Sequence, residues 1–187
     1  MIFDYYEDTR GGLENGVLTD VAPDLAKIDE WDRAAFVRKI SDLLQSSVKP
    51  AEILHKTSTQ IYKEALDTDK DWEILTPTML DFLAYRAIDI YEGLLSNPVL
   101  PLILEEPLLK ELNMPAADFV NYPYFPEKYQ LRHQVIAVYQ LLLRFSDPGS
   151  PSYLMADLKR LKFLQDNNSG VEYPQKLENL LNVYKDS

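Results

Sequence analysis

The sequence has no cysteine, which removes disulfide scaffolds, thiolate metal or iron–sulfur sites and thiol nucleophiles together. Histidine is nearly as scarce, with two in 187 residues, so a histidine-rich metal cage is excluded as well. Glycine is sparse at six. The glycine-rich phosphate loop, the dinucleotide fingerprint, the Gly-x-Ser-x-Gly elbow and the His-Glu-x-x-His zinc motif are all missing. There is no run of about eighteen apolar residues, the length a membrane-spanning helix needs. The opening MIFDYYEDTR is acidic where a secretory leader is basic and then apolar.

Positive charge is also short. Nineteen Lys and Arg face thirty Asp and Glu, giving a net charge of −11 and a pI near 4.6. Proteins that displace counterions from phosphates carry the opposite balance, so nucleic acid and anionic membrane surfaces are excluded as partners. The densest basic cluster is Lys159, Arg160 and Lys162. It alternates with Leu158, Leu161 and Phe163 and reads as a solvated helix flank. The balance suits a soluble cytoplasmic protein that meets a basic protein partner.

What the chain does have is core material and punctuation. Hydrophobic residues make up 46%, which excludes wholesale disorder. Of twelve prolines, Pro50, Pro77, Pro107, Pro115, Pro126, Pro151 and Pro174 fall at helix starts, where the missing N–H costs nothing. Thr76-Pro77 and Ser150-Pro151 add a hydroxyl cap before the proline. Apolar residues recur every three or four positions over 29–46, 50–66, 77–95, 127–145, 153–165 and 174–184. The span 77–95 is apolar nearly all round, and 127–145 carries a widened apolar stripe; both are expected to be central. Leucine at 29 residues outnumbers valine plus isoleucine at 20, and alternating runs of strand length are lacking apart from a doubtful one at 16–21. These patterns predict an all-α protein, a single globular helical bundle of about six to eight helices. No repeat of fixed period suggests a solenoid.

Residues 1–28 read separately, as a flexible acidic arm ahead of a helical domain over 29–187. Residues 1–30 hold eight acids against two bases and three of the six glycines, with no helical period. The tip carries Tyr5, Tyr6, Glu7 and Asp8. A solubilising tail is the preferred explanation, and a short recognition peptide is the alternative. A second irregular stretch, 97–126, ends in Tyr122, Tyr124 and Phe125 between prolines. It either caps the core or lines a groove for a partner.

Three clusters invite chemistry. Glu52 and His55 have the Glu-x-x-His spacing that ferritin-like bundles use for a di-iron centre. The other histidine, His133, has Gln130 at that offset, and it shares the more polar side of its helix with Ala137 and Gln140. A neutral amide is a poor ligand for a cation that needs carboxylates, so no metal and no other cofactor is expected. His55-Lys56-Thr57-Ser58 also prompts a phosphotransfer histidine, but the adjacent lysine points to another face. On the span 77–95, Asp81, Asp89 and Glu92 form a stripe with Tyr85 between them, and Arg86 stands on an adjacent edge. A solvated stripe is the default there, and an acid–base pair is the alternative. Twelve tyrosines favour interfaces, where a ring and a polar tip both find use.

The function expected from these features is a non-enzymatic acidic protein-interaction module: an adaptor, an assembly subunit or an inhibitor of the immunity type. Self-association stays open. The alternatives are a small-ligand sensor with an apolar pocket between the central helices, and a metal- or phosphotransfer-dependent enzyme using Glu52 and His55.

Overall fold

The computed structural model describes residues 28, 31, 33–66, 70–96, 112–123 and 131–167. Those residues form seven α-helices and one 3₁₀ turn. The helices are α1 Arg33–Val48, α2 Ala51–His55, α3 Lys70–Leu75, α4 Met79–Leu95, α5 Ala116–Asn121, α6 Leu131–Phe145 and α7 Pro151–Asn167. The 3₁₀ turn, Thr59–Tyr62, lies between α2 and α3. Among the described residues no strand forms, and the one β contact is an isolated antiparallel bridge between Ser58 and Thr78. The all-α class read from the sequence is the class observed. Tyr5, Tyr6, Glu7, Asp8, Tyr124, Phe125 and the span 174–184 lie outside the described residues, as does nearly all of the arm over 1–28.

The chain divides between Ser46 and Ser47, so most of α1 belongs to the first unit. There Trp31, Ala35 and Phe36 are buried together. The Trp31 and Phe36 rings meet edge to face at 5.1 Å, the geometry that their quadrupoles favour.

In the second unit α4 and α7 both pack on α6. Helix α4 starts where Thr78 turns out of an extended conformation. The Thr78 hydroxyl accepts from the Asp81 amide, and Asp81 Oδ2 accepts from the Thr78 amide at 3.0 Å and from its hydroxyl at 2.7 Å. This reciprocal cap satisfies donors that a helix start leaves open. It also corrects the sequence reading in one detail: Thr78 caps, while Thr76 is buried and gives its carbonyl to Thr59. Leu80, Ala84, Ala87, Ile88 and Tyr91 then recur at helical spacing and are all buried. On α6, Leu131, Val135, Ile136, Tyr139, Leu142 and Leu143 do the same. Two alanines without exposed surface on α4 let the backbones approach closely.

The turn from α6 to α7 needs a left-handed residue, which Gly149 supplies at φ 88°. Ser150 Oγ then accepts from the Tyr153 amide at 3.2 Å, and Pro151 opens α7 as the sequence predicted.

The predicted helix over 50–66 does not run through. Helix α2 stops at His55, and Ser58 turns extended and caps the 3₁₀ turn by accepting from the Gln60 amide. The chain makes an excursion and returns at Thr78. Its base is held by Thr59 N donating to Pro77 O at 3.1 Å and Met79 N donating to Thr57 O at 2.8 Å. Periodicity does not register such a break, because the apolar spacing continues across it.

Candidate functional site

Helices α4 and α7 flank α6, and a groove of about 410 Å³ opens between them. Ile88, Tyr139 and Phe163 line its depth, and Asp89, Glu92, Lys159, Lys162 and Asp166 stand around it. Tyr139 and Phe163 are buried, with ring centroids 6.2 Å apart. Lys159 reaches from α7 to place its ammonium 4.8 Å above the Tyr85 ring of α4. Lys162 pairs with Asp166 one turn along α7 at 2.7 Å.

These positions revise the polar stripe read on α4. Asp81 and Tyr85 are buried, and only Asp89 and Glu92 face outward. Burial raises the Asp81 carboxyl above its ordinary value, against the hydrogen bonds from Thr78 and the proximity of His55. Glu92 is also raised. Desolvation is the main cause; Asp89 and Asp166 push the same way, while Lys159 and Lys162 oppose it. A carboxyl raised on folding keeps its proton longer in the native state than in the unfolded chain. Its contribution to stability therefore falls as pH rises through the interval between the ordinary and the raised value. We expect the Glu92 side-chain carbon to titrate above an ordinary glutamate in carbon-detected NMR. Glu92→Gln should flatten the fall in stability across that interval, and a Glu92 midpoint at or below the ordinary value would contradict this assignment.

A second concavity, about 510 Å³, lies where α5 meets α6. Tyr122, Pro123, Asn121 and Arg144 line it. Of the three aromatics singled out in the 97–126 stretch, Tyr122 is therefore placed at a groove. Gln140 lies under the same corner. Its amide donates to Phe119 O at 2.8 Å and to Tyr122 O at 3.0 Å, and it is buried. Arg144 donates to Val120 O at 3.3 Å. The more polar side of α6 is thus, at Gln140, a buried capping position.

Arg160 is the larger correction. The predicted solvated flank holds a guanidinium that is 1% exposed. Its Nε donates to Asp157 Oδ1 at 2.8 Å, Nη1 to Leu112 O at 3.1 Å and Nη2 to Met114 O at 3.0 Å. The same group lies 4.4 Å from the centre of the Phe119 ring. Five donors in a planar fork make this possible for arginine and not for lysine.

Glu52 and His55 do not converge on a centre. Glu52 is exposed on α2, whereas His55 is half-buried with its ring 5.4 Å from that of Phe145. Among the described residues no group of three or more potential ligands could hold a metal ion. No described helix is long and apolar enough to cross a membrane.

Sequence reasoning missed four exposed apolar side chains on α2 and the excursion that follows it. Ile53, Ile61, Tyr62 and Ile74 are 69%, 71%, 47% and 58% exposed. Lys63 on the 3₁₀ side bonds Glu73 of α3 at 2.6 Å, which brings the neighbours of both residues close together. Comparison with protein-family models, curated proteins and solved structures yields no match.

Proposed function

We propose that this chain is a non-enzymatic interaction module whose excursion over 51–75 docks on a basic protein. The exposure of Ile53, Ile61, Tyr62 and Ile74 on consecutive short elements carries this reading. Single exposed aliphatic residues are ordinary, but four within one short stretch of chain favour a surface that meets another protein. The same segment holds six acids (Glu52, Glu64, Asp67, Asp69, Asp71, Glu73) against three lysines (Lys56, Lys63, Lys70). A complementary partner presents apolar side chains ringed by Lys and Arg. The net charge of −11 then speeds encounter, and the isoleucines set the lifetime of the complex.

Ile61→Asp and Ile74→Asp test the proposal, since both sites are exposed and neither change disturbs the core. Affinity for a partner purified with the chain from its source is expected to fall about 30-fold for a central apolar contact. It should also weaken as salt rises. Unchanged affinity in both variants, with helical circular dichroism intact, rejects the excursion as the docking surface.

A further inference from the structure

Apart from any protein partner, we propose that the groove over Tyr139 binds a small zwitterion with an apolar body, of which a free apolar α-amino acid is the representative. Its α4 wall carries two acids, and its α7 wall carries two lysines together with Asp166, which pairs with Lys162. Asp89 and Glu92 are one turn apart on α4, and Lys159 and Lys162 are one turn apart on α7. Between the walls lie Ile88, Tyr139 and Phe163.

A ligand with only a positive charge meets the lysines as well as the acids, and a purely negative one meets the acids. A molecule carrying an ammonium and a carboxylate satisfies both walls at once, and its side chain takes the apolar floor from water. The volume of about 410 Å³ falls within the range of small-molecule sites. Both lysines are engaged, Lys159 over the Tyr85 ring and Lys162 with Asp166. The Lys162–Asp166 pair is 63% and 55% exposed, and exposed pairs of this kind exchange at little cost. Glu92, held above its ordinary value chiefly by burial and further by Asp89 and Asp166, gains from an ammonium placed beside it.

The proposal is tested by titrating L-phenylalanine and L-leucine into nitrogen-15-labelled protein. The expected result is saturable movement of amide signals in 88–96 and 159–167 at millimolar ligand. N-acetyl-L-phenylalanine lacks the ammonium and the methyl ester of L-phenylalanine lacks the carboxylate. Each is expected to bind on the order of tenfold more weakly, the loss of a hydrogen bond to a charged group. Glu92→Gln and Lys162→Met should each show a similar loss, and Lys39→Met on α1 should show none. Ile61→Asp, which disables the proposed docking surface, should leave amino-acid binding unchanged, so the two proposals fail separately. Absence of saturable movement with either amino acid overturns the inference. Equal binding of the blocked compounds overturns it too, as do Glu92→Gln and Lys162→Met variants that bind like the unaltered protein.

Discussion

Replacing Arg160 by alanine is expected to lower the stability of the second unit by about 3–5 kcal/mol, the cost of breaking a buried ion pair by removing one partner. The change leaves Asp157, 4% exposed, without its counter-charge. It also orphans the carbonyls of Leu112 and Met114. Urea denaturation followed by circular dichroism measures the loss. Asp157→Leu combined with Arg160→Met removes both charges and should recover part of it, because an apolar pair avoids the desolvation that the ions suffer. Recovery should stay incomplete, since the buried Leu112 carbonyl and the part-buried Met114 carbonyl still lack donors. Arg160→Lys should fare poorly despite keeping the charge, because one ammonium cannot reproduce the planar fork. A loss below about 1 kcal/mol for Arg160→Ala would show that water replaces the guanidinium.

Phe119→Ala is expected to cost a similar amount, about 3–5 kcal/mol for deleting a fully buried ring. Phe119 is the main apolar anchor of α5, with no exposed surface. Six residues are too few for a helix to persist by itself in water. Side chains from its neighbours hold both ends instead: Arg160 takes the carbonyls just before it, and Gln140 and Arg144 take those at its close. Arg160 also stacks on the ring itself at 4.4 Å, so the two substitutions share a contact and should not add. In a double-mutant cycle the pair is expected to cost clearly less than the sum of the single changes. Simple additivity would mean that ring and guanidinium stabilise α5 independently.

Much of this architecture was legible in the residues. The long helices announced themselves because Leu80, Ala84, Ala87 and Ile88, or Leu131, Val135, Val138 and Leu142, repeat at the helical period, and that period is what the core selects. Ser150-Pro151 was readable for the same local reason. What escaped notice depends on distant partners. Arg160 sits in a run that looks solvated, and its burial follows from two carbonyls more than forty positions away. Gln140 stands on the more polar side of its helix, yet it is buried and answers carbonyls at the end of α5. The break after His55 is set by a bridge to Thr78 that no local pattern encodes. Of the candidate site residues, Glu92 and Asp89 were noticed as a pair, but Lys159 and Lys162 were not connected with them. The sequence places those pairs some seventy residues apart, and only the common packing of α4 and α7 on α6 joins them.

The hydrogen bonds that join Thr57 and Thr59 to Pro77 and Met79 act as a clasp at the neck of a purse. Chain that leaves the helical body there comes back within one bridge of where it left. A cut or an insertion near Glu64 and Ala65, both exposed, would leave the neck closed, and lengthening an already closed loop adds only slowly to its entropy. Exposed Ile61, Tyr62 and Ile74 ride on this purse, and Ile53 stands on α2 just before its neck. Its exposed positions, though not the side of α3 that packs on α7, can therefore be rewritten by mutation, and partner specificity can drift, with little disturbance to the fold that carries it.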